Sequence, residues 1–443
     1  MERRSVENLL NFIRKSPSCY HVIDNVGKML ETSGFMHIYE EDFWRLESGG
    51  KYYVTRGESS LIAFTMPKEE ITGFQIIASH SDSPTFKLKE NGEIEIDKAY
   101  VKLNVEKYGG MIMSTWMDRP LSLAGRIMIE TEKGIESRLI NLNRDLLIIP
   151  SLAIHMNRNI NDGYSFNVKK DLLPLFAQAG ETTLTDLIAE EANIKKTQLA
   201  GMDLFLYNRM PGSIWGAEDS FLSSPRLDNL QCAYCSLAGF LAGTGSEGRS
   251  MVYCILDNEE VGSRTRQGAG STFMQDVLTR VILSSGRNFE EYYRAISGSF
   301  LISADNAHSV HPNYPEMSDE KNRPYMNHGP VIKYSANQKY TTESSTAAVF
   351  AAICKKADVP VQRFYNRSDM EGGSTLGNIS SGFVPVPAVD IGLPQLAMHS
   401  SYETAGVKDT NYLVRVAQEY FSSTVRSKRD GNFYEVDNKK IHS

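Results

Sequence analysis

Apolar positions near the N-terminus recur at helical spacing. Val6, Leu9, Leu10 and Ile13 share one face, and a second amphipathic stretch runs from Tyr20 to Leu30 and stops near Gly34. Residues 51–66 and 71–79 are dense in β-branched and aromatic side chains, KYYVT and GFQIIAS among them. They predict strands that end abruptly in His80-Ser81-Asp82-Ser83-Pro84. From about Glu93 to His155, short alternating runs (EIEID, YVKLNV, GRIMIE, SRLINL) are broken by Gly and Asn, with no long helix between them, and predict a β-rich segment. After Pro225 strand and helix take turns: helices over 229–242, 271–285, 344–357 and 410–425, strands over 251–256, 299–304, 361–365 and 387–392. That alternation predicts an α/β fold, a sheet with helices on both faces. The strand ending at His80 precedes the β-rich block, so residues 1–90 and 221–443 read as one discontinuous domain and residues 91–220 as a domain inserted into it. The tail RSKRDGNFYEVDNKKIHS reads as solvated and frayed.

Composition narrows the function classes. A chain of 443 residues, 41% hydrophobic and 23% charged, is that of a globular protein with room for two or three domains. Lys+Arg 47 against Asp+Glu 54 gives a net charge of −7, so no bulk positive field is available for nucleic acid or an anionic membrane. No apolar run reaches the roughly 18 residues of a membrane span. Glu7, Asn8 and Asn11 follow MERR where a signal peptide would have its apolar core, and a cytoplasmic location is expected. Five cysteines, an odd number, argue against a disulfide framework; Cys232 and Cys235 of CAYC fall in a helical pattern and read as packed thiols.

The candidate chemistry lies where the strands end. His80 and Asp82 follow GFQIIAS, Glu259 and Glu260 follow MVYCILDN, Asp305 follows SFLISA, and His399 follows PAVDIGLPQLAM after a short turn. Asp228, just before a helix, can join them from the same side. Open α/β sheets bind ligands outside the carboxyl ends of their strands. Taken singly, each residue has a plainer role. His80 and His399 fit hydrogen-bonded structural histidines, Glu259-Glu260 a solvated acidic pair, and Asp305 a turn acid, while Asp228 with Gln231 fits a helix capping box. Taken together, so many carboxylates at one edge repel one another unless cations neutralise them. Two divalent ions, zinc first and Co²⁺ or Mn²⁺ as alternatives, suit the donor set His80, Asp228, Glu260, Asp305 and His399, with one carboxylate bridging. Asp82 is then placed to orient His80, and Glu259 is left over to take a proton from an attacking water.

These residues sit in segments with a family likeness. SHSDSPTFKLK, STWMDRPLSLAGRI, IPSLAIHMNRNIN, SPRLDNL, DNEEVGS, SADNAHSVHPNYPEM, GPVIKYSANQKY, GGSTLG and LAMHS resemble, in order from about residue 5 to residue 423, the aspartyl aminopeptidase family. The resemblance implies a dinuclear zinc exopeptidase whose inserted β-rich domain mediates dimerisation, with dimers assembled as a tetrahedral dodecamer around enclosed active sites. It makes His80, Glu260, Asp305 and His399 terminal metal ligands, Asp228 the bridge and Glu259 the base. By resemblance alone, His155 reaches a neighbouring subunit's active site, Lys333 faces the acidic side chain of the substrate's first residue, and Gly372 and Gly373 lie at the substrate pocket. Asn306 and Gly372 stand where eukaryotic members carry Met and Cys, both near the expected pocket.

The expected function is therefore a metal-dependent aminopeptidase that removes an N-terminal residue, Asp or Glu, from peptides. A dinuclear deacylase or carboxypeptidase acting on N-acyl amino acids and a non-catalytic shell protein braced by metal are the alternatives. Glu259 separates the last from the others, because a closed structural metal site has no use for an unbound carboxylate beside it.

Overall fold

The computed structural model describes residues 2–437. Its centre is a nine-stranded mixed sheet in the order Met36–His37, Lys51–Arg56, Ser60–Thr65, Arg249–Leu256, Gly73–His80, Phe300–Ala304, Ala388–Gly392, Val331–Tyr334, Gln362–Tyr365. Four adjacent strands, 249–256, 73–80, 300–304 and 388–392, run parallel, so their carboxyl ends open on one edge. Each is buried along its whole length. That is why they read as continuous apolar runs and not as alternation.

The period of two appears instead in which layer each side chain enters. Ile77, Tyr253, Ile255, Phe300, Ile302, Val389 and Ile391 pack with helices Glu2–Lys15, Cys19–Thr32, Leu227–Ala242, Ser344–Lys356 and Val407–Ser422. Phe74, Ile76, Ala78, Val252, Cys254, Leu301 and Ala388 pack on the other face with Phe273–Ser284, Phe289–Ser297 and the short Leu376–Ser380. Helix Phe289–Ser297 lies outside the predicted elements, although Asn288 and Glu291 close a capping box at its start.

A six-stranded antiparallel sheet stands apart with its own core. It runs Gly134–Asn141, Leu121–Thr131, Leu199–Asn208, Thr85–Ile96, Tyr100–Tyr108, Leu175–Gln178. Helix Leu184–Ala192, again beyond the predicted elements, packs Leu184, Ile188 and Ala192 onto it. Residue 91 falls inside strand Thr85–Ile96, and Ser213–Trp215 and Phe221–Ser224 pair into a third sheet with Glu403–Gly406, Pro394–Leu396 and Ala307–His308. The tail departs from its reading as solvated. Thr424–Lys428 and Phe433–Asp437 form an antiparallel hairpin with Val425 fully buried, and residues 438–443 lie outside the described ones. All five cysteines are free and buried. Among the described residues no helix is long and apolar enough to cross a membrane.

Candidate metal centre

The open edge gathers the predicted residues. His80 ends its strand, level with Leu256 on the neighbouring one; Asp305 follows Phe300–Ala304 directly. Glu259 and Glu260 stand on a single 3-10 turn launched by Asn258 in the left-handed region (φ 62°), a conformation Asn tolerates well. His399 comes back on the loop after Pro394–Leu396, and Asp228 sits in a non-helical turn at the start of Leu227–Ala242.

Asp228 lies between two histidines. Its Oδ1 is 3.5 Å from His80 Nε2 and its Oδ2 is 3.5 Å from His399 Nε2. Asp305 Oδ1 lies 3.6 Å from His80 Nε2, and Glu260 Oε2 lies 3.4 Å from His399 Nε2. Three groups, His80–Asp228–Asp305, Asp228–Glu260–His399 and His80–Glu259–Glu260, each bring ligand atoms within 4.8 Å of one another. His80 Nε2, Asp228 Oδ1 and Glu260 Oε1 are buried without any hydrogen-bond partner. Buried polar atoms are rarely left so, and three such orphans within one cluster of carboxylates and histidines ask for cations. The spacing agrees, since two ligands each about 2.0–2.1 Å from a tetrahedral zinc stand about 3.3–3.5 Å apart. The residues present therefore fit a divalent metal.

Electrostatics tell the same story. Burial disfavours charge on the His80 ring, yet the carboxylates of Asp228, Asp305 and Asp82 outweigh it and hold its pKa well above the usual value. Burial, eased by His80 and aggravated by Asp305, Asp82 and Asp228, lifts Glu259 to about 8; burial and Asp228 push Glu260 well up. A bound divalent cation would reverse the strain on the carboxylates.

Asp82 lies beside His80. His80 Nδ1 lies 3.1 Å from the Asp82 carbonyl and 3.3 Å from its Oδ1, two acceptors that favour a proton on Nδ1 and would leave the Nε2 lone pair for a cation that displaces the second proton. The same carboxylate accepts from the backbone N–H groups of Glu259 (3.1 Å) and Glu260 (3.2 Å) and from the Tyr108 hydroxyl (2.6 Å). One buried side chain thus ties His80 to the turn that carries Glu259.

Other expectations fare differently. Asp228 does not cap its helix: Arg226 holds the N-cap position without a side-chain cap, Gln231 is spent on Thr410 and Asn306, and the Asp228 N–H donates to Glu403. The Asn306 side chain is buried and hydrogen-bonded on both ends: its amide NH₂ lies within donating distance of Leu227 O, Gln231 Oε1 and Gln395 Oε1, and its Oδ1 accepts from Cys232 Sγ. Lys333 is buried, with Nζ 2.9 Å from Asn306 O and 3.4 Å from Asp305 Oδ2. Gly372 and Gly373 lie on the irregular segment before Leu376; a Cβ at Gly372 would meet the Asn366 amide. His155 is exposed on a turn and belongs to none of the three groups. Sequence reasoning passed over Tyr108, Asn258 and Glu403, whose partners are remote in the chain.

A model of the Aminopeptidase I zinc metalloprotease (M18) family matches residues 12–421. The chain belongs to the M18 aminopeptidase family. It is thereby a zinc metallo-aminopeptidase, a hydrolase. A probable M18 family aminopeptidase 2 of Clostridium novyi (strain NT) is 45% identical over 423 residues, 94% of this chain and 98% of the relative. One from Pseudomonas aeruginosa (strain UCBPP-PA14) is 40% identical over 430 residues, covering 94% and 98%. Among solved structures, the Ape4 and Nbr1 complex matches with TM-score 0.91 and 35% identity over 95% of this chain and 86% of that one. The S. cerevisiae mApe1 dodecamer matches with TM-score 0.83 and 26% identity over 95% and 96%.

Proposed function

We propose that this M18 enzyme is a dinuclear metal aminopeptidase that releases an N-terminal acidic residue from peptides. The observation carrying the proposal is Asp228, whose two oxygens each face a different histidine. His80, Asp228 and Asp305 would hold one ion, and Asp228, Glu260 and His399 the other. When bound, such ions supply Lewis acidity toward the peptide carbonyl and acidify water. The chain's residues do the rest. Asp82 keeps His80 in one tautomer and holds the Glu259 turn by its N–H groups. Glu259 receives the proton of the attacking water and returns it to the leaving amine. Lys333 has three N–H donors, two directed at Asn306 O and Asp305, and offers the third to the acidic side chain of the first residue. Gly372 and Gly373 border the pocket, and His155 completes the site of a neighbouring subunit.

The likeness to a dodecameric neighbour supports a homo-oligomer; in this proposal its dimers join through the inserted domain of residues 91–220 and assemble as a tetrahedral dodecamer in the cytoplasm. Family membership favours a free-amine substrate over the deacylase reading. Hydrolysis of Asp and Leu amides, free or N-acetylated, with and without chelator, tests the proposal. Cleavage of free Asp amide, abolished by chelator and absent for the acetylated form, is expected; faster cleavage of acetylated substrates would make the enzyme a deacylase.

A further inference from the structure

We infer that Glu403 is a positioning residue that sets the backbone of the bridging carboxylate and of a ligand histidine with one side chain. This rests on the metal roles proposed above for Asp228 and His399. Glu403 opens strand Glu403–Gly406 and is 2% exposed. Its Oε2 accepts from the Asp228 N–H at 3.0 Å. Its Oε1 accepts from the His399 N–H at 2.8 Å and from Gln395 Nε2 at 3.3 Å.

Both backbones are held where they meet Glu403. His399 adopts a left-handed conformation (φ 67°), uncommon for a non-glycine residue although histidine tolerates it better than most. Its N–H is fixed by Glu403 and its carbonyl by the Ile112 N–H at 3.0 Å, from the turn after strand Tyr100–Tyr108. Asp228 stands in a non-helical conformation (φ −81°, ψ 108°) where its helix begins.

The chemistry explains why this residue is an acid. A buried carboxylate is costly, and a glutamine of the same shape would be cheaper if only packing mattered. Three N–H donors converge here, however, and they require an acceptor at both ends. An amide offers one oxygen. Whichever way it turned, its NH₂ would face another N–H, either that of Asp228 or those of His399 and Gln395. Groups that orient metal ligands typically change metal affinity or activity by about 10–100-fold when replaced.

The experiment compares wild type with Glu403→Gln, measuring zinc dissociation constants by competition with a chromophoric chelator, the visible spectrum of the Co²⁺-loaded protein, and thermal melting after chelation. The chelated variant is expected to melt cooperatively, with a zinc Kd raised about 10–100-fold and an altered Co²⁺ spectrum, quantities a packing role would leave alone. Glu403→Asp, which keeps both acceptors but is one methylene short of spanning the two N–H groups, should act in the same direction and serves if the glutamine variant does not fold. A folded variant with wild-type Kd and spectrum overturns the inference, and so does failure of both variants to fold, which would assign Glu403 to the fold alone. Wild type that takes up fewer than two ions would instead overturn the dinuclear reading.

Discussion

Removing one oxygen atom from Tyr108 should loosen the metal centre without touching a ligand. The hydroxyl donates to Asp82 Oδ2 at 2.6 Å and accepts from Asn258 Nδ2 at 2.9 Å. Burial and the Asp82 carboxylate push its pKa far up, so it stays a donor. A hydrogen bond to a charged group nets about 1.5–3 kcal/mol, and Asn258 loses an acceptor besides. Asp82 keeps the Glu259 and Glu260 N–H groups at 3.1 and 3.2 Å, so part of its orientation survives. Tyr108→Phe should therefore sit near the lower end, about tenfold weaker in zinc affinity and about tenfold lower in kcat at saturating zinc. Chelator competition and steady-state kinetics on an Asp amide measure the two. Wild-type values for both would show that Asp82 needs no help from the six-stranded sheet, and the reasoning through His80 would fail.

Lys333→Met deletes the ammonium but keeps most of the stem; at saturating zinc, kcat/KM for Asp and Glu substrates should fall about 10–150-fold, with Leu and Ala substrates unchanged. Equal slowing of all substrates would remove Lys333 from the pocket. Asp228→Asn should lose zinc, since an amide is a poor bridge between cations, whereas a variant that kept its metal would be acting only on the helix start. Burial, partly opposed by Asp24, depresses His21 to about 4, against about 6.5 in the unfolded chain. The native state refuses a proton that the unfolded state accepts, so this stability is complete above about pH 6.5 and is lost as pH falls toward 4. In denaturant titrations of chelated protein, wild type should lose about 2 kcal/mol more than His21→Gln between about pH 7.5 and pH 5; parallel loss would contradict this.

Much of the site was legible because the edge of a parallel sheet is written in one dimension. Each strand buried on both faces reads as an apolar run, and the first polar residues after it, His80, Glu259, Glu260 and Asp305, must lie at the same end. What stayed hidden depends on distant pairing. Glu403 meets Asp228 across 175 residues and Tyr108 meets Asn258 across 150. No local period marks either. A clue to Glu403 was available in its isolation, a lone acid between Tyr402 and the small residues Thr404-Ala405-Gly406. The C-terminal hairpin is obscured in the sequence because Arg426 and Lys428 alternate along its first strand and Glu435 charges the second, which resembles a solvated tail although Val425 is buried. Helix Phe289–Ser297 is short, and two signals mark it: the capping box at its start and the apolar face of Tyr292, Ala295 and Ile296 at helical spacing.

The central claim is that Glu259 moves protons while its neighbours hold metal, and Glu259→Gln tests it with two numbers. Zinc content and kcat are measured on the same preparation. Glutamine keeps the shape and cannot accept the proton, so two ions per chain should remain while kcat falls by roughly 10²–10⁴-fold. Loss of zinc in parallel with activity would make Glu259 a ligand and contradict the account.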